Sequence, residues 1–130
     1  MNKKKIVDYR LNIIKFFLEL EATIQLYHWS TTKFSRHKAS DFLYENALET
    51  IDKFMEIYIG RYGRSKTEFN EVIIIKKYDD DNFVTYLQNT VKILEVEFSK
   101  VLLENETDLL NVRDELLGFI NQTLYLFTLE

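Results

Sequence analysis

The chain contains no cysteine and no proline, and only three of its 130 residues are glycine. Without cysteine it has no disulfide framework, no thiolate-ligated metal and no catalytic thiol, which fits a reducing compartment such as the cytoplasm. Proline breaks helices and glycine weakens them, so this composition favours long, uninterrupted helices. The N-terminus does not follow the signal-peptide pattern, because Asp8, Arg10 and Lys15 interrupt the apolar residues after MNKKK.

Long apolar runs and an excess of positive charge are also missing. No run is long enough to cross a bilayer, so we expect no membrane span. The formal net charge is −4, which argues against nucleic-acid binding, since neutralised phosphates supply most of that affinity. The lysines at positions 3, 4 and 5 are interpreted as a solvated terminus rather than an anion site. The length and the 46% of hydrophobic residues predict one domain with a real core, spanning residues 1–130.

Apolar residues recur at steps of three and four in four segments, which predicts four amphipathic helices. These cover about residues 4–29, 36–59, 81–103 and 108 to the end. Ser35 and Thr107 are the expected N-caps of the second and fourth helices. The acidic residues 79–81 are expected to cap and begin the third helix rather than to bind metal. Gly60 and Gly63 are expected to end the second helix, and Gly118 to allow close helix contact.

Residues 64–79 interrupt the helical pattern and contain a β-branched run, Val72-Ile73-Ile74-Ile75. Alone, this run is typical of a strand. Because the sequence offers no partner strand, we expect an extended crossover that travels along a helix bundle. Two helical hairpins joined by one long crossover, between helices 2 and 3, define the all-α, ferritin-like four-helix bundle.

One face of the second helix combines an imidazole with carboxylates. At 100° per residue, these side chains fall within a strip about 100° wide that overlaps the apolar positions Leu48 and Met55. Buried carboxylates need a partner, and imidazole with carboxylate suits iron, manganese or zinc. A solvated face with pairs at i,i+4 is the alternative. The strip contains His37, Asp41, Glu45, Asp52 and Glu56.

The spacing within this strip constrains any shared metal. His37 and Asp41 are one turn apart, as are Asp52 and Glu56, but roughly 22 Å of helix separates the two pairs. One centre therefore cannot use both pairs from a single chain. A two-fold dimer, in which the second helices run antiparallel, would bring the pairs together and generate two equivalent sites.

Together with His28-Trp29 at the end of the first helix, this pattern resembles the Dps family (DNA-binding protein from starved cells), the small ferritin-like iron-oxidising proteins. The shared features are a His-Trp pair, a second His with an acid four residues later, and Asp-x-x-x-Glu beginning fifteen residues after that His. The segment 27–64 is also similar to a short, poorly characterised Dps-like family of large DNA viruses. In that case the protein would act in the host cytoplasm or the virion.

The resemblance implies an iron site shared between two subunits, with other divalent transition metals left open. Iron(II) would be oxidised by oxygen or peroxide, a ferroxidase-like activity that serves storage or protection from oxidative stress. A dimer is expected rather than a twelve-subunit shell, because an extended crossover replaces the family's short helix. One subunit would supply the ligands His28, His37 and Asp41, and its two-fold mate would supply Asp52 and Glu56. Trp29 and Glu45 would lie near the site without binding the metal.

A second reading is a degenerate ferritin-like bundle that serves as an assembly or interaction module without metal. Lys33 and Arg36, which place positive charge beside the histidines, favour this alternative, as does the short loop between His28 and His37. The chain has no Glu-x-x-His, the signature of bundles that hold two irons within one subunit.

Overall fold

The helices were located in a computed structural model, which describes residues 8–129. Within this range there are four helices and no strand, so the all-α prediction is confirmed for the described residues. The first two are α1 (Arg10–Ser30) and α2 (Phe34–Tyr62), and the last is α4 (Thr107–Leu126). Between them, α3 joins an α-helical part (Asp80–Lys92), a π-helical turn (Ile93–Glu97) and a final turn (Phe98–Val101). The lysines at positions 3, 4 and 5, and the predicted start of the first helix, lie outside the described residues.

Two of the predicted N-caps are wrong by one or two residues. Helix α2 begins at Phe34, after Lys33, because the extended backbone of Lys33 already presents its carbonyl to the His37 N–H at 2.9 Å. Helix α4 begins at Thr107, after Glu106. The third cap is confirmed, since the Asp79 carboxylate accepts the Asn82 backbone N–H at 2.7 Å.

Of the three glycine predictions, one is confirmed and two are wrong. Gly63 ends α2 with a φ of +79°, a conformation that favours glycine. Gly60 lies inside α2, so the prediction that it ends the helix is wrong. A Cβ atom at Gly118 would meet nothing within 4 Å, so this glycine does not serve a close helix approach among the described residues.

The apolar faces of the four helices meet in a single core. Phe17 of α1, Phe54 of α2 and Phe98 of α3 pack together at its centre, with ring centroids 5.3 to 5.8 Å apart. Such edge and tilted contacts are the favoured geometry of aromatic pairs. Nearer one end of the bundle, Tyr27 stacks on Phe83 at 3.9 Å. The aliphatic residues that are fully excluded from solvent are Leu20, Ile24, Leu43, Leu87, Leu94, Leu109 and Ile120.

Contacts between helix ends show the direction of each helix. At one end of the bundle, Arg10 in the first turn of α1 donates to the carbonyls of Tyr62 and Gly63, which end α2. At the other end, the Tyr27 hydroxyl donates to Asp80, the first residue of α3, at 2.6 Å. Helices α2 and α3 therefore run in the same direction, and the connection between them, residues 63–79, travels the length of the bundle.

The π-helical turn in α3 has a visible partner on α4. A π turn shifts the helical hydrogen-bond register and leaves backbone groups that need other partners. Arg113 donates to the Leu94 carbonyl at 3.3 Å and to the Ser99 hydroxyl at 3.0 Å.

Among the described residues, none of the helices combines the length and apolar character needed to cross a bilayer.

Candidate metal centre

Three residues, 31–33, connect α1 to α2, and this tight connection brings the two histidines face to face. The rings of His28 and His37 stack with centroids 4.0 Å apart and an angle of 19° between their planes. Trp29 follows His28 but points outward, since 72% of its surface is exposed. The short loop, which favoured the metal-free alternative, places the two imidazole rings in contact.

Each histidine is held by the backbone of the other. His28 Nδ1 lies 2.9 Å from the His37 carbonyl, and His37 Nδ1 lies 3.0 Å from the His28 carbonyl. Because a carbonyl oxygen can only accept, each Nδ1 must carry a proton. When the ring is neutral, this is its one N–H, and Nε2 then keeps its lone pair. This is the tautomer and the type of backbone anchoring found in metal-ligating histidines.

Asp41 and Ser40 complete this cluster from the first turns of α2. The Asp41 carboxylate lies 3.9 Å from His28 Nε2, and its side chain is half exposed. The hydroxyl of Ser40, a fully buried residue, lies 3.0 Å from His28 Nδ1 and donates to the His37 carbonyl. Sequence reasoning missed Ser40, although its position three residues after His37 on a helix could have indicated it. The structure thus brings His28, His37 and Asp41 together at one end of α2.

The second predicted pair lies further along α2 and does not join this cluster within one chain. Asp52, Glu56 and the neighbouring Glu45 are all exposed. Within residues 8–129, no group of three or more His, Cys, Asp or Glu side chains is placed to hold a metal ion, and this includes the cluster of His28, His37 and Asp41.

Asp52 instead lines a cleft of about 550 Å³ between α1 and α2. Leu18 and Leu48 line the same cleft and are 39% and 41% exposed, a large fraction for leucine on two packed helices. Glu21 of α1 also lines it, and burial, followed by the charge of Asp52, raises the pKa of Glu21. Sequence reasoning missed Glu21, although its position four residues after Phe17 and three before Ile24 places it beside an apolar stripe.

The basic residues near the histidine loop are occupied elsewhere. Lys33 Nζ lies 3.7 Å from the Asp80 carboxylate, and Arg36 donates to the Asp80 carbonyl at 3.0 Å. The Arg36 guanidinium also covers the ring of Phe127, 4.2 Å from its centroid. Their charges therefore neutralise the start of α3 rather than oppose a cation bound to the histidines.

Asp80 is the centre of this neighbouring network. Its carboxylate accepts hydrogen bonds from Tyr27 at 2.6 Å and from Thr31 at 2.9 Å. Burial alone would raise the pKa of Asp80, but these two hydrogen bonds, with the charges of Arg36 and Lys33, bring it below its usual value. Burial, together with the bond to Asp80, raises the pKa of Tyr27 to about 12. The predicted acidic start of α3 thus also anchors the corner between α1 and α2.

Comparison with known proteins adds a family and one viral relative. A family model described as a family of unknown function (DUF5856) matches residues 28–127, which include both histidines. An uncharacterised 14.6 kDa protein from the mobD-ri intergenic region of Enterobacteria phage T4 is 29% identical over 103 residues, 79% of this chain and 75% of the phage protein. No solved structure matches the chain. The phage relative is compatible with a viral origin, and the extent of the family match shows that the chain belongs to the DUF5856 family of unknown function.

Proposed function

We propose that this protein is a Dps-like, ferritin-like bundle that binds iron(II) between two subunits and oxidises it there. The observation that carries the proposal is the reciprocal anchoring of His28 and His37, which in the neutral rings leaves both Nε2 atoms with lone pairs, that of His28 lying 3.9 Å from the Asp41 carboxylate.

The connectivity of the helices supports the ferritin-like part of the proposal. Helices α2 and α3 run in the same direction and are joined by a connection of 17 residues, 63–79. Two antiparallel helical pairs linked by one long crossover are the arrangement of ferritin-like bundles. In such bundles, metal ligands project from facing helices, as His28 of α1 and His37 of α2 do here.

The donor set fits iron(II). Neutral imidazole and carboxylate are ligands that divalent iron, manganese and zinc share. The cluster of one subunit supplies two imidazoles and one carboxylate, and Asp52 and Glu56 of a two-fold mate would supply two more carboxylates. The exposure of Asp52, Glu56 and the cleft leucines is what a surface covered by a second copy requires.

The chain's own residues would hold and orient the iron substrate rather than react with it. Ser40 and the backbone carbonyls of His28 and His37 fix the imidazole rings, so that both Nε2 atoms are available without rearrangement. Oxidation takes one electron from each of two iron(II) ions, and peroxide accepts both with two protons to give water. Trp29 lies at the edge of the site, where its indole could intercept radicals.

The test is iron oxidation measured by absorbance after adding iron(II) and peroxide to metal-free protein. Asp52→Ala combined with Glu56→Ala should slow the reaction by about 10- to 100-fold, the usual cost of losing metal ligands and their supports. Glu95→Ala with Glu104→Ala is the matched control, since it removes two exposed carboxylates away from α2 and should react like the wild type. Equal rates for the wild type and the α2 variant would refute the proposal.

The metal-free assembly module is the second candidate. It draws support from the lack, within residues 8–129, of a metal-binding group contained in one chain. It predicts that elemental analysis finds no stoichiometric metal, and that His37→Ala and Asp52→Ala leave both folding and oligomeric state unchanged. Iron bound at one or more ions per dimer, and lost in these variants, would exclude it.

A further inference from the structure

The crossover carries an exposed apolar segment that the helices do not use. Val72, Ile74 and Ile75 are 74%, 60% and 44% exposed, whereas Ile73 is partly buried. Exposure that changes between adjacent residues, as it does from Val72 to Ile74, is typical of a strand that lies with one face on a protein body. β-Branched residues also favour that conformation. The segment therefore resembles a single strand packed on the bundle.

The backbone of this segment has no partner strand within the described chain. Among residues 8–129, none of the backbone hydrogen bonds outside the helices involves residues 64–78. Unpaired backbone groups flanked by apolar side chains form a template for pairing with another strand. Natural proteins normally shield such edges with charge, proline or a cover, and here the charges stand only at the two ends of the run.

We propose that this segment pairs antiparallel with the same segment of a second copy, centred on Ile74. Directly opposed residues of an antiparallel pair point to the same face of the sheet, whereas neighbouring residues of one strand point to opposite faces. In a two-fold symmetric pair, one residue must therefore lie at the centre, opposite its own copy. Centring on Ile74 places Ile73 opposite the partner's Ile75. It also places Glu71 opposite the partner's Lys77, so that both ends of the paired run carry opposite charges.

The charge pattern favours this register over its neighbours. A register centred on Ile73 would place Glu71 opposite the partner's Ile75, and the carboxylate would then gain no cation beyond Lys15 of its own chain. A parallel, in-register pair would place Glu71 beside its own copy and Lys77 beside its own copy, and like charges directly opposite one another are destabilising. Only the antiparallel register centred on Ile74 pairs the three central apolar residues and the charges on their flanks.

The position of the segment suits a two-fold contact. Glu71 lies 3.9 Å from Lys15 of α1, and the exposed Leu18 lies one helical turn further along α1. The paired strands would thus lie beside α1. The pairing goes beyond the proposed iron chemistry and does not depend on metal.

Cysteine cross-linking tests the register directly, because the chain has no cysteine of its own. Ile74→Cys should form a disulfide-linked dimer on mild oxidation with diamide in the presence of EDTA. Val72→Cys is the matched control, since its two copies would be offset by four residues, about 14 Å along the strands, beyond disulfide reach. Val72 is more exposed than Ile74, so random collision would favour the control. Cross-linking of Val72→Cys at the rate of Ile74→Cys, or of neither, would overturn the proposal.

Charge reversal provides an independent test by sedimentation of metal-free protein. Glu71→Lys or Lys77→Glu alone should weaken dimerisation by about tenfold, because each puts like charges opposite one another twice per dimer. The double variant, and an equimolar mixture of the two single variants, should recover the wild-type affinity. Unchanged circular dichroism would show that all variants fold. A monomeric wild type at about 100 µM, or no difference among the variants, would refute the pairing, whereas loss of iron oxidation alone would not affect it.

Discussion

At the scale of single residues, one carboxylate joins three helices. Asp80, at the start of α3, accepts from Tyr27 of α1 and from Thr31 in the following loop, and its backbone carbonyl accepts from Arg36 of α2. The Tyr27 ring also stacks on Phe83. This network holds the corner that aligns His28 with His37, so its stability bears on the candidate metal centre.

We expect Tyr27→Phe to cost about 1 kcal/mol of unfolding free energy at pH 7, since it removes the bond to Asp80 and keeps the aromatic stack. The effect should depend on pH. The pKa of Tyr27 is raised to about 12 in the folded state, above the ordinary value of about 10. Its contribution is therefore complete below pH 10 and is lost as the pH rises toward 12.

Urea unfolding between pH 7 and 11 measures this difference. The wild type should lose stability above about pH 10 more steeply than the variant. The slope does not vanish in the variant, because the pKa values of Tyr62 and Tyr86 are also raised to about 12. Tyr125→Phe, at a 61% exposed position, is the control and should behave like the wild type. Parallel pH profiles for Tyr27→Phe and the wild type would contradict the assignment.

Sequence spacing predicts that His37, Asp41, Asp52 and Glu56 share one face of α2, because helix periodicity fixes their relative angles over any distance along the helix. It could not fix His28, whose position depends on the turn at residues 31–33. Nor could it assign Lys33 and Arg36, which turn toward Asp80 through a contact 44 or more residues apart in the chain. Long-range partners of this kind leave no local pattern.

At the scale of the elements, the helix ends follow local backbone chemistry. Because glycine is rare in this chain, Gly60 and Gly63 indicate that the second helix ends near residue 60. The sequence does not decide which of these two glycines ends α2. The structure distinguishes them, since Gly63 has a φ of +79° while Gly60 is an ordinary helical residue. The π turn in α3 was not predicted at all, because it changes the register of the helix without interrupting its apolar stripe.

The different backbone conformations of Gly60 and Gly63 predict opposite effects when each glycine is replaced by alanine. Gly63→Ala should destabilise the protein by about 1 to 2 kcal/mol, because a side chain is strained at that φ value. Gly60→Ala should stabilise it by about 0.5 to 1 kcal/mol, since alanine is the better helix former and its Cβ would meet nothing within 4 Å. Thermal or urea unfolding of both variants tests this directly, and a loss of stability in both would show that Gly60 has a role of its own.

At the scale of the whole molecule, three features are exposed in the part of the chain that the structure describes. They are the leucine-lined cleft between α1 and α2, the carboxylates Asp52 and Glu56, and the strand-like segment of the crossover. Helix length forbids a metal site that joins both ends of α2 in one subunit. The proposed shared iron site would use the carboxylates of α2, and the proposed strand pairing would cover the crossover segment.

A mixing experiment separates a shared site from one contained in a single subunit. His37→Ala with Asp41→Ala, and Asp52→Ala with Glu56→Ala, should each slow iron oxidation by about 10- to 100-fold. When the two variants are refolded together, half of the dimers should be mixed, and one of the two sites in each mixed dimer would have all its ligands. Activity should therefore recover to about a quarter of the wild-type rate, although each variant alone keeps at most about a tenth of it.

The control for this experiment mixes two variants that each lack one histidine from the same half of the proposed site. His28→Ala mixed with His37→Ala should show no recovery, because both side chains belong to one subunit's cluster, 4.0 Å apart, and every site in every dimer would lack one of them. Recovery in this control would mean that His28 and His37 act in different sites. If mixed dimers form in the first mixture but activity does not recover, the reactive site lies elsewhere. Each mixed dimer would then contain one site with every proposed ligand and still fail to oxidise iron.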